Sequence, residues 1–168
     1  FSTVHQGAVY LHLGRSYEVS ELDVDGRRAL VRPFDDSWYT QPKKETDTWI
    51  EQVLDQRELL GCKLCFGRVA VTETVIAYQR KRLPDHEVID LVALDLPETT
   101  FTTQALWYEL PPEITDVDFP RSHLLGALHA AEHAQIAVLP LIAMCDRWDI
   151  GGLSTAAHQQ TGVPTIFI

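Results

Sequence analysis

The residues most suggestive of chemistry are His129, Glu132 and His133, in the run His129-Ala130-Ala131-Glu132-His133. Histidines four apart share one helix face, and H-x-x-E-H is the inverted zinc-protease pattern. Two imidazoles would hold the zinc and the glutamate would activate a bound water. A catalytic zinc needs a third protein ligand, and the nearest downstream acids are Asp146 and Asp149. The structural alternative has His129 and His133 hydrogen-bonded on the helix and Glu132 salt-bridged to an arginine such as Arg147. Cys62-Lys63-Leu64-Cys65 is half of a zinc ribbon, but no second C-x-x-C exists. Cys145 and a histidine would complete it only by accident of folding, so one or both of Cys62 and Cys65 are expected to be core residues, behaving as small hydrophobes. No G-x-x-x-x-G-K-[ST] phosphate loop occurs, and Gly151-Gly152 after Asp149 is too short to be one. Ser154 lacks the second glycine and the preceding strand of a nucleophile elbow. The residues alone give no complete catalytic set.

The elements that must position these groups fall into two parts, a β-rich part over 1–112 and a helical part with a terminal strand over 119–168. Short strand-like runs cover Ala8–Leu13, Ser16–Leu22 and Arg28–Arg32, with Gly14 and Asp25-Gly26 as turn signals. They predict a small twisted meander, with an SH3-like arrangement as one option. Phe34 to Thr46, containing Pro42, reads as a loop. Thr48–Leu54 fits neither the helix nor the strand period. Gly67–Tyr78 is the clearest strand, and Val88–Leu96 and Phe101–Leu110 follow. From Ser122 to Met144 the chain is rich in Ala and Leu with little β-branching, which predicts a long, central, buried helix ended or kinked at Pro140. Leu153–Gln160 reads as a short helix and Pro164–Ile168 as a buried strand. The fold class expected is α+β in a single domain over 1–168: a β-rich N-terminal two-thirds with antiparallel strands, packed on the Ala-rich helix.

Composition narrows the function classes. With 168 residues, 45% hydrophobic and 23% charged, the chain can bury a core without disulfides or a metal. A net charge of −10, from 24 acidic and 14 basic residues, opposes autonomous binding to nucleic acid. The small basic clusters (Arg27-Arg28 with Arg32, Lys43-Lys44, Arg80-Lys81-Arg82) read as solvated surface. Three scattered cysteines suit a reducing, cytoplasmic setting. The longest uninterrupted apolar candidate, Ile136 to Met144, is too short for a bilayer and contains Pro140, so no membrane partner is expected. Phe1-Ser2-Thr3-Val4 at one end and Val163–Ile168 at the other read as cuts in a longer chain.

One segment is more specific: Ala143-Met144-Cys145-Asp146-Arg147-Trp148-Asp149-Ile150-Gly151-Gly152-Leu153-Ser154. With His129–Ala134, Thr161–Ile168, Gly7–His12, Arg28–Pro33 and Tyr39–Pro42, it resembles the C-terminal domain of the mitomycin-repair DNA helicases. These are superfamily 2 enzymes related to the RecQ4-like helicases, and the resemblance spans essentially the whole chain. It implies an accessory C-terminal domain of an ATP-dependent 3′→5′ DNA helicase acting in repair. The motor domains of the same chain would be its partners, and single-stranded DNA would be met through the parent. ATP with Mg and a zinc ion would be the parent's cofactors, with none in this piece. The family's zinc is held by four cysteines, of which Cys145 matches a first ligand; the others would follow Ile168. Arg147 and Trp148 are the candidate DNA contacts, a cation beside an aromatic, against a structural role as a salt-bridged arginine and a buried tryptophan. Two other readings stand beside this one: a zinc-dependent hydrolase on His129, Glu132 and His133, and a plain protein-interaction module.

Overall fold

The computed structural model describes residues 1–116 and 120–168; the expected start of the helical part at residue 119 lies outside them. The fold is β-rich α+β, and two compact units make it up, each assembled from two stretches of sequence: 1–46 with 73–99, and 47–72 with 100–168.

In the first unit β1 (Val9–His12), β2 (Arg15–Asp23) and β3 (Arg28–Pro33) form an antiparallel meander in sequence order. The turn expected at Asp25-Gly26 follows β2 and is held by Asp23. The Asp23 carboxylate accepts from the Gly26 amide at 2.8 Å and pairs with Arg28 at 3.2 Å. A register shift between Val19 and Glu21 bulges β2 at Ser20. Beneath the meander, His5 is fully buried, with its ring 4.7 Å from that of Tyr78.

β4 (Trp38–Leu59) and β5 (Cys62–Arg82) contribute residues to both units. The expected loop over 34–46 and the ambiguous Thr48–Leu54 are thus mostly one 22-residue strand. Proline misleads here because β4 is the outermost strand of its sheet, where a missing backbone donor is tolerated. Leu60 and Gly61 both have positive φ, 53° and 78°, the backbone of a two-residue hairpin turn. β6 (Val88–Ala93) pairs antiparallel with the later part of β5, where the Arg80 guanidinium grips Asp90 across the strands and holds that carboxyl below its usual range.

The second unit carries the strand order β4-β5-β7-β9-β8, with β7 at Thr99–Glu109, β8 at Leu153–Thr155 and β9 at Thr165–Phe167. The short helix expected at Leu153–Gln160 is instead β8 and a turn. Pairing of Leu153, Ser154 and Thr155 with β9 overrides weak local propensity, and hydroxyl bonds from Thr155 and Thr161 hold the turn backbone. β9 is buried along its whole length, as expected, because both its faces are covered. Phe167 joins Trp107, Cys65, Val69 and Ala105 on one side, while Ile166 meets Leu124 and Leu128 of α1 (Arg121–Val138) on the other. The sheet's far edges are tied by side chains. Gln160 bonds both the amide and the carbonyl of Ile50, and buried His158 bonds the Thr48 carbonyl at 2.8 Å.

α1 is not the central buried helix that its alanines suggest. Leu124, Leu128, Glu132 and Ile136 form a stripe one residue wide against β8 and β9, and most of the rest is exposed. Alanines at 127, 130, 134 and 137 therefore serve helix propensity rather than close packing. Pro140, lacking an amide hydrogen, ends α1 as expected and starts α2 (Pro140–Ala143), which stops at left-handed Met144. By length and composition His123–Ala143 would pass for a membrane-crossing helix. An ionisable group in its packed stripe and two histidines on its outer face are what lipid penalises.

Candidate functional site

The H-x-x-E-H residues do come together, on α1. Spacing of i and i+4 brings His129 and His133 side by side, with Nε2 atoms 3.1 Å apart and rings edge to face at 4.4 Å. Glu132 lies one position round the helix, inside the packed stripe and only 5% exposed. A carboxylate buried there requires donors, and it has two. Ser154 of β8 donates its hydroxyl to Oε2 at 2.5 Å, and His129 Nδ1 donates to the same oxygen at 3.3 Å. Neighbouring Gly152 is a packing necessity rather than a phosphate loop: a Cβ there would sit 2.8 Å from Glu132 Cγ and 2.9 Å from Ile136 Cδ1. The three side chains place one ligating atom each within 4.8 Å of one another.

This arrangement corrects two expectations. Glu132 is paired with His129 and Ser154, not with Arg147. Asp146 and Asp149 are engaged with each other's backbone in a capping box around a short 3-10 helix, Arg147–Asp149. Asp146 Oδ1 accepts from the Trp148 amide at 3.0 Å, and Asp149 Oδ2 accepts from the Asp146 amide at 3.3 Å. Neither aspartate joins the histidine group. Ser154, which fixes Glu132, is the functional partner that sequence reasoning passed over; its only signal was its place after Gly151-Gly152.

The same capping box displays Arg147 and Trp148. Trp148 is 89% exposed, not buried, and among the described residues Arg147 makes no ion pair. Shortly before them in sequence, Val138, Leu141, Ile142 and Met144 are exposed apolar side chains.

The cysteines are free. Cys65 is buried in the core as expected; burial pushes its thiol pKa up, and the Glu109 carboxylate adds to this. Such a thiol stays protonated and makes a poor metal ligand. Three residues apart on β5, Cys62 and Cys65 belong to opposite strand faces. Cys145 is half-buried just beyond α2, and among the described residues no group of three ligating side chains includes it. A tetrahedral zinc wants four donors, so Cys145 alone does not make a site.

No protein-family model matches the chain. It is 29% identical over 167 residues to the uncharacterized ATP-dependent helicase YprA of Bacillus subtilis, covering 98% of this chain and 22% of that protein. To the ATP-dependent helicase HRQ1 of Saccharomyces cerevisiae it is 26% identical over 145 residues, 82% of this chain and 13% of that one. A crystal structure of the DUF1998 helicase MrfA bound to DNA superposes on 99% of the chain at a TM-score of 0.71 with 29% identity. The chain covers 22% of that structure. A second MrfA structure, bound to DNA and AMPPNP, gives a TM-score of 0.59 with 26% identity. The curated relatives are thus ATP-dependent helicases, and the chain spans about a fifth of their length or less.

Proposed function

We propose that this chain is the accessory C-terminal domain of an ATP-dependent DNA helicase of the DUF1998 type. In this reading it lacks the motor and acts on DNA only within the parent. One observation carries the reading: the alignment uses 98% of this chain but only 22% of the helicase relative, and the DNA-bound helicase structure repeats that proportion. ATP and Mg chemistry, 3′→5′ movement on a single strand and a role in DNA repair would belong to the parent. So would a cysteine zinc cluster, to which Cys145 would contribute one thiolate alongside ligands outside the described residues. The three free cysteines support a reducing, cytoplasmic setting.

The domain's own task is to meet the motor and guide the strand. Exposed Leu141, Ile142 and Met144 supply apolar area for a neighbouring domain of the parent. Arg147 and Trp148 offer the pairing used in single-strand channels, a guanidinium for phosphate and an indole face for a base. Both project from a turn fixed by backbone caps, so little ordering is required when a strand arrives.

The hydrolase reading is less well served by the geometry. Water activation needs a carboxylate free to take a proton, whereas Glu132 is buried and engaged by two donors.

In the full-length parent, Trp148→Ala should weaken single-strand binding by about 1–3 kcal/mol. Arg147→Ala should lower the salt slope of binding by about 0.7, the value for one lost phosphate contact. DNA-independent ATP hydrolysis should be unchanged. Unaltered affinity and unwinding in both variants, measured by fluorescence anisotropy and strand displacement, would remove these residues from the strand path.

A further inference from the structure

We propose that His129 and His133 form a two-histidine site for a divalent ion of the zinc type on the outer face of α1, with Glu132 as its positioning residue. The site is independent of Cys145 and of any hydrolytic activity.

Which nitrogens face each other decides what the histidine pair can hold. Glu132 accepts at Oε2, so the His129 proton engaged there is on Nδ1. In neutral His129 this leaves a lone pair on Nε2, which accepts from His133 Nε2–H at 3.1 Å and is free to take an ion once His133 carries its proton on Nδ1. Two imidazole nitrogens bound to zinc at 2.0–2.1 Å with a tetrahedral angle stand about 3.3–3.4 Å apart. The pair therefore needs only a few tenths of an ångström of adjustment to hold an ion between its Nε2 atoms.

The surroundings have the layering of a metal centre. A carboxylate on the far nitrogen of a ligating histidine fixes the tautomer and strengthens the donor. Glu132 is itself fixed by the Ser154 hydroxyl at 2.5 Å and by its place in the buried stripe. The histidines are exposed, His129 by 63% of its side chain, so the remaining coordination positions open outward. They would be filled by water or by donors from outside this chain. Nitrogen donors select a borderline ion such as zinc over magnesium or calcium, which want oxygen.

The test uses the full-length parent, dialysed against buffer containing micromolar Zn²⁺, with bound zinc counted per chain. Wild type is expected to hold one ion more than His129→Ala and one more than His133→Ala, both substitutions being at exposed positions. Glu132→Leu, which suits a buried stripe, is expected to keep the fold but bind that ion about 10–100-fold more weakly. Co²⁺ substitution should add a visible absorption band in wild type that neither histidine variant shows. Equal zinc counts in wild type and both histidine variants overturn the site. An unchanged affinity in Glu132→Leu overturns the role given to Glu132.

Discussion

His5 and Glu132 show how differently two buried ionisable residues can be accommodated. Glu132 has two donors, whereas His5 bonds the Gln6 carbonyl through Nδ1 at 3.0 Å and leaves Nε2 without a partner among the described residues. Burial lowers the His5 pKa from its ordinary 6.5, outweighing that backbone bond, which raises it. The folded state therefore holds the ring neutral, while the unfolded chain takes up a proton once pH drops below about 6.5. The stability His5 contributes is complete above that pH. It is lost as pH falls through the window between 6.5 and the depressed folded value. Wild type should lose stability between pH 7.5 and 5.5, by at most about 1.4 kcal/mol per pH unit from this group. Chemical denaturation of His5→Phe at the two pH values should show a smaller difference; an equal one would mean that other groups set the slope.

At the scale of elements, what was legible in the sequence was whatever local chemistry decides. Asp25-Gly26 announced a turn, Pro140 announced the helix end, and the apolar run at 164–168 announced a buried strand. What failed depended on neighbours distant in sequence. Pro42 looked like a loop because the edge position of β4 cannot be read locally. Leu153–Gln160 looked helical because β9, its pairing partner, comes later. The alanines of α1 suggested burial, although a single i, i+4 stripe suffices to seat that helix. Site residues divided in the same way. His129 and His133 were visible from spacing alone, while Ser154 as the clasp on Glu132 required the sheet. Gly152 is the joint between these levels, letting the chain pass close over α1 into β8. Gly152→Ala should destabilise the protein by about 1–3 kcal/mol through overpacking against Glu132 and Ile136, read by urea denaturation. Gly151→Ala meets nothing within 4 Å among the described residues and serves as the control.

Over the whole molecule, charge and topology set the terms. A net charge of −10 leaves no general electrostatic attraction for DNA, so the strand contact proposed for Arg147 and Trp148 would be local and delivered by a larger body. The 168-residue chain by itself should bind a labelled single strand more weakly than ~10⁻⁴ M at physiological salt. Micromolar binding in an anisotropy titration would contradict that division of labour. Topology adds a constraint of timing. In the second unit β9 stands between β7 and β8, so an inner strand of that sheet comes more than fifty residues after the β7 it pairs with. During synthesis at ~5–20 residues per second, β7 would wait roughly 3–11 s for its partner, with Trp107 lacking the Phe167 ring it later stacks on. On the ribosome β7 thus waits with an open edge, exposed to proteases and chaperones until β9 slides into place.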